Sequence, residues 1–413
     1  MMPAVPQTEL ESGLPSLTRA MLEHVRGQLR SGVADWQTST ASEARLPVES
    51  YFDPIIWQSE VQSLFRSLPL IAAHSSELLP GQVLTHDSYD MPLLLSRDDQ
   101  GTVRCFLNVC RHRGMRLVEA KPQAQSRKSV VCRYHGWAFQ LDGALRHRLH
   151  SDSFDTCTPD NLNLVPLSCA ERHGLIWVVP DPKGQINLDA HLGRLNQELP
   201  FLEIDRLQHF RTIESEYAAN WKLMLDAFLE GYHIRVLHKD SIAPFFTDAV
   251  VAAVREGPHI HSLVARLKAQ DWAQDDAATL PAKQSEMAKL VTVSQVIFPN
   301  TITIFHPDYL SLITVYPTGP ETMRWTHRML IPPERSTSDW TPHWEKTFHL
   351  IQRGVFEAED IACAVDIQKG LKTGANSHLV VGRLEQALVW FHDAVQNATG
   401  QTQRTMLGAA PKP

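Results

Sequence analysis

Two short stretches decide the fold: Asn108-Val109-Cys110-Arg111-His112-Arg113-Gly114 and Cys132-Arg133-Tyr134-His135-Gly136-Trp137, with 19 residues between His112 and Cys132. Each carries one cysteine and one histidine, spaced C-x-H in the first and C-x-x-H in the second. Each is short enough to sit on a tight loop at one end of a small sheet. Two thiolates and two imidazoles hold either a tetrahedral zinc ion or a [2Fe-2S] cluster with the cysteines on one iron and the histidines on the other. Donor chemistry alone permits both. The other cysteines, at positions 105, 157, 169 and 363, lack a similarly spaced histidine and read as small buried side chains.

Around these loops, from about Leu70 to Val179, short runs of Val, Leu, Ile and aromatics are broken by turn signals at Pro80-Gly81, Asp98 to Gly101, Asp142-Gly143 and Asp181-Pro182. That pattern predicts a small all-β domain, which with a preceding helix spans 46–180. Residues 1–45 form an N-terminal extension, with a candidate helix from Ser16 to Ser31 and a linker from Thr38 to Glu43. Residues 181–413 read as a second domain. Helical spacing from Trp221 to Leu237 and from Trp344 to Leu371 flanks strands at Ser294 to Phe298, Thr301 to Phe305, Tyr309 to Tyr316 and Met323 to Ile331. An apolar stripe, Leu384, Ala387, Leu388, Phe391 and Val395, predicts one more docking helix. The fold class is therefore α+β, an antiparallel sheet with helices on it beside the β domain.

The second domain carries its own constellation, Asn220-Trp221-Lys222, then Asp226, and Glu230-Gly231-Tyr232-His233, with His238 five residues further on. On an ideal helix His233 and His238 would diverge by about 140°, so both face one metal only if the helix ends or bulges between them. Far downstream, Phe356-Glu357-Ala358-Glu359-Asp360 supplies carboxylates. Two histidines and one carboxylate on one face of iron(II) leave the opposite positions open for dioxygen and substrate. Spacing leaves Glu357, Glu359, Asp360 and Asp366 all in contention for the carboxylate.

Together, the two Cys-His loops with Gly114, Gly136 and Trp137, the Asn-Trp-Lys motif with its histidines, and the Glu-Asp stretch before Gln368-Lys369-Gly370-Leu371 resemble the Rieske non-heme iron oxygenases of the aromatic ring-hydroxylating type, from roughly residue 47 to the end. The resemblance implies the α subunit, or terminal oxygenase component, with a helix-grip catalytic domain of the START-like kind. It implies that Cys110, His112, Cys132 and His135 bind one [2Fe-2S] cluster, and that His233, His238 and Asp360 bind one mononuclear iron. It places Glu230 as the carboxylate joining His233 to a cluster histidine of a neighbouring subunit, here His135, and puts Asn220 and Tyr232 beside these centres. Glutamate stands where the family usually has aspartate, a departure shared with the branch resembling carnitine and other quaternary-amine monooxygenases. A homotrimer follows from the shared electron path, with electrons from NAD(P)H arriving through a separate reductase, with or without a ferredoxin.

Composition narrows the partners. The net charge of -7 without a long basic run gives nucleic acid no footprint, and no apolar run approaches the roughly 20 residues of a membrane span. Residues 1 to 20 lack the basic start and apolar stretch of a secretory signal, and the sparse cysteines fit a reducing cytoplasm. The expected activity is hydroxylation of a small aromatic substrate, by dioxygenation or by monooxygenation with dealkylation. The alternatives are monooxygenation of a carnitine- or betaine-like quaternary amine, a Rieske electron carrier without oxygenase activity, and a zinc-stabilised binding protein.

Overall fold

The computed structural model describes residues 14–34, 37, 41–87, 91–121, 123–154, 162–401 and 406–407. Cys157 and much of the linker read over Thr38 to Glu43 lie outside the described residues. The chain forms two compact units, one of residues 65–191 with 204–209 and the other of residues 1–64, 192–203 and 210–413.

The first unit is built from short antiparallel strands. A five-stranded sheet runs in the order Pro166–Leu167, Val103–Leu107, Leu93–Arg97, Gln82–His86 and Gln125–Ser126. A three-stranded sheet joins Cys169–Arg172, Leu175–Val178 and Leu70–His74, and another joins Val130–Val131, Ala138–Phe139 and Leu145–His147. Strands this short bury little each. Val83, Leu94, Phe106, Val118, Phe139 and Leu164 therefore pool into one core, which also takes in Cys110, Cys132 and Trp137.

The second unit centres on a seven-stranded antiparallel sheet in the order Gln208–Tyr217, Thr322–Ile331, Leu310–Gly319, Thr301–Phe305, Val291–Ile297, His259–Arg266 and Phe246–Glu256. Its last four strands in sequence fall close to the predicted runs. The long strands over 208–217, 246–256 and 259–266 escape prediction because they mix polar and apolar residues on both faces. Against this sheet pack the helix Trp221–Phe228 and a long helix over 341–371, where Phe228, Trp325 and Phe356 meet edge-on or stacked. The helices Ser16–Ser31 and Gln386–Thr399 form as the sequence patterns predict.

Residues 46–64, read from sequence as leading into the β domain, cluster instead with this second unit. Their polar side chains find partners there: Lys222 donates from Nζ to Glu60 at 2.7 Å, and Tyr51 donates its hydroxyl to Asp226 at 2.7 Å.

Candidate metal centres

In the β unit the two Cys-His loops have nearly the same backbone. The Cys110 amide donates to the Met115 carbonyl and the Cys132 amide to the Trp137 carbonyl, both at 2.8 Å, while Gly114 and Gly136 donate back to the Cys110 and Cys132 carbonyls, both at 3.0 Å. Both glycines take left-handed φ, 74° and 70°, which a side chain would strain. The two loops thus set four donors together. Cys110 and Cys132 are buried, and their thiols are close enough to hydrogen-bond. The rings of His112 and His135 have centroids 4.6 Å apart, and His112 stacks on Trp137 at 5.0 Å.

The donors' own state tests whether a cluster fits. Nδ1 of His112 and Nδ1 of His135 are buried with no hydrogen-bond partner, although buried polar atoms are normally satisfied. Burial pushes the Cys110 thiol up and, with help from His135, pushes the His112 pKa down, so His112 offers a neutral lone pair. Two thiols and two unsatisfied imidazole nitrogens match a cluster held by two cysteines and two histidines.

The second centre begins at the helix Trp221–Phe228, which Asn220 caps by accepting the Lys222 amide on Oδ1 at 3.0 Å. The Asn220 amide group donates to the Pro320 carbonyl at 2.7 Å, so both its polar groups are engaged at the helix start. Asn220 is a buried helix cap. The helix stops at Phe228, a turn follows, and a short helix Ile234–Leu237 separates His233 from His238. The break expected between the histidines is not found: they flank one short helical turn, and their ring centroids still lie 5.1 Å apart.

Asp360 arrives on a π-helical stretch, Leu350–Ile361, whose wider turn is the kind of distortion that often marks functional sites. Asp360 Oδ1 lies 3.1 Å from His238 Nε2 and 3.7 Å from His233 Nε2, and the donor atoms of all three lie within 4.8 Å of one another. Ligands at about 2.1 Å on adjacent octahedral corners stand about 3.0 Å apart, so the set is near the spacing one metal needs. The rivals lie elsewhere. Glu357 accepts from Tyr217 and Gln352, Asp366 pairs with Lys369 at the surface, and Glu359 accepts from His238 Nδ1 at 2.7 Å.

Glu230 accepts from His233 Nδ1 on one oxygen and from the His233 and Tyr232 amides on the other. The contact is made through the turn, not along a helix. Arg235 and Lys239 pair with Asp248 and Asp240, which leaves Glu230 to His233. The Tyr232 side chain is 68% exposed, available to whatever covers that face.

The field here is negative. Burial alone would depress the His238 pKa, but Asp360 and Glu359 outweigh it and raise it. Burial, then Asp360, Asp366 and Glu230, push the Cys363 thiol up. A buried site with a carboxylate behind each imidazole suits a bound cation.

Beside the segment carrying His233 lies a pocket of about 100 Å³, with Ile234, Phe246, Val251 and Val264 among its walls. Arg235 and Asp248 pair at 2.7 Å along it, and the buried Thr247 hydroxyl has no partner.

Residues 69–158 match the family described as the Rieske [2Fe-2S] domain, and residues 204–401 match the ring hydroxylating alpha subunit (catalytic domain). The carnitine monooxygenase oxygenase subunit of Escherichia coli K12 is 26% identical over 344 residues, covering 79% of this chain and 84% of that protein. The glycine betaine monooxygenase oxygenase subunit of Chromohalobacter salexigens is 26% identical over 411 residues, covering 90% and 89%. A crystal structure of a quaternary ammonium Rieske monooxygenase aligns with a TM-score of 0.75 at 21% identity, covering 88% of this chain and 98% of that one. Naphthalene 1,2-dioxygenase from Rhodococcus sp. aligns with a TM-score of 0.72 at 20% identity, covering 93% and 98%. Both structures share the fold.

Proposed function

The chain belongs to the Rieske-type ring-hydroxylating oxygenases, as a terminal oxygenase component using one [2Fe-2S] cluster and one mononuclear iron, and we propose that its substrate is a small quaternary amine. Cys110, His112, Cys132 and His135 would hold the cluster, and His233, His238 and Asp360 the iron. When bound, the two groups supply single-electron storage and the activation of dioxygen at open coordination positions. The observation that carries this reading is the convergence of His233, His238 and Asp360 on one point, with the Glu230 carboxylate behind His233.

The chain's own residues set the conditions. Glu230 accepts the Nδ1 proton of His233, which fixes the tautomer and turns Nε2 toward Asp360. Because Glu230 is only partly buried and Tyr232 is exposed beside it, this face can meet His135 of a second copy. A closed head-to-tail ring, the homotrimer, satisfies every copy at once. Reductases, with or without ferredoxins, supply electrons to such oxygenases. No helix among the described residues is long and apolar enough to cross a membrane. The free thiols of Cys105, Cys169 and Cys363 support a cytoplasmic location.

Support for a quaternary amine over an aromatic substrate comes from the named relatives and from Glu230 in place of aspartate. Oxygen uptake with a surrogate reductase tests the proposal. Uptake matched by product is expected with carnitine, glycine betaine or choline, and turnover of aromatic acids alone would overturn it.

A further inference from the structure

Of the carboxylates in contention for the metal, Glu359 stands behind one of the imidazoles. One of its oxygens, Oε2, accepts from both His238 Nδ1 and Ser241 Oγ at 2.7 Å. His238 is 2% exposed and its other ring nitrogen, Nε2, lies 3.1 Å from Asp360. The two ring nitrogens therefore face consecutive carboxylates of the π-helical stretch, Glu359 at Nδ1 and the co-ligand Asp360 at Nε2. Ser241 sits on the same loop as His238, and its amide donates to the His238 carbonyl at 3.0 Å. Glu359 thus ties the loop bearing one ligand to the helix bearing another.

We propose that Glu359, anchored by Ser241, is a positioning residue that fixes His238 with its Nε2 lone pair toward the metal and presets its separation from Asp360. The role rests on the reading of His233, His238 and Asp360 as ligands. It is separate from that of Glu230, which serves the other imidazole on the more open side. A carboxylate bound to Nδ1–H selects the tautomer that leaves Nε2 free, and its serine contact limits the angles the ring explores.

The test uses the full chain with its cluster intact, measuring iron(II) release to a chelator and the EPR spectrum of the nitric oxide adduct of the mononuclear iron. Glu359→Ala should weaken iron retention by about 10- to 100-fold and change the rhombicity of the adduct. Glu359→Gln, which keeps an oxygen acceptor, should restore most of both. Ser241→Ala should lose about fivefold, as expected for one hydrogen bond. Unchanged iron release and an unchanged adduct in Glu359→Ala would overturn the proposal. If that variant loses its cluster absorption through misfolding, Ser241→Ala decides in its place, and wild-type behaviour there overturns the proposal. Asp360→Ala separates this from the ligand assignment: iron retained in that variant means the triad reading has failed, whereas iron lost there but held normally without Glu359 means only the positioning role has failed.

Discussion

Replacing Lys222 by methionine should destabilise the catalytic unit far more than the loss of a surface charge would. Lys222 Nζ lies 2.7 Å from Glu60 Oε1, and both side chains are 1% exposed. The second Glu60 oxygen accepts the Trp221 indole N–H at 2.8 Å. Methionine fills the lysine volume, so little cavity forms, but the Glu60 charge is left with one neutral protein donor and room for a single water. Breaking such a buried pair from one side costs about 3 to 5 kcal/mol. Adding Glu60→Gln removes the stranded charge while keeping an oxygen for Trp221. The amide N–H left over borders a cavity of about 20 Å³, large enough for one water. The double variant should therefore cost only about 1 to 2 kcal/mol, so the two substitutions are strongly non-additive. Urea denaturation followed by tryptophan fluorescence, run on wild type, both single variants and the double, measures the cycle. A Lys222→Met cost below about 1 kcal/mol, or a double variant equal to the sum of the singles, would refute the argument.

Three further outcomes follow from the same geometry. His112→Ala should abolish the visible absorption of the cluster and its sulfide while the mononuclear site still takes up iron; retention of the cluster spectrum would exclude His112 as a ligand. Glu230→Gln should leave cluster reduction intact but lower single-turnover product by about tenfold or more, and an undiminished yield would remove Glu230 from the path. Burial holds His261 and His327 down to about 4, below the ordinary 6.5, so the unfolded chain binds more protons between those values. Their stabilising contribution is full above pH 6.5 and is lost as pH falls toward 4, by about 3 kcal/mol each. Denaturation midpoints should fall across that window, less steeply for His261→Leu, and an identical slope in that variant would contradict the assignment.

The cluster site was legible because its information is local. Cys110 to Gly114 and Cys132 to Trp137 each close their own loop by hydrogen bonds within five residues. The strand 301–305 was legible because its short β-branched run is buried on both faces. The iron site was legible in its residue types but not in its geometry. No periodicity announces that residues 350–361 wind as a π-helix, and only that backbone and the turn after Phe228 decide that Asp360 faces the histidines while Glu359 binds behind one of them. The capping role of Asn220 was not legible, because one of its partners, the Pro320 carbonyl, lies 100 residues away in sequence. Residues 46–64 changed units for a similar reason, since the partners of Tyr51 and Glu60 lie more than 160 residues away.

Metal and acid-labile sulfide analysis of anaerobically reconstituted protein, beside its His233→Ala variant, shows whether one chain carries two unlike iron centres on these two ligand sets. About three irons and two sulfides are expected per wild-type chain, and about two of each in the variant with its cluster spectrum unchanged. Zinc in place of iron at either site, or a variant that keeps all its iron, would contradict the two-centre arrangement.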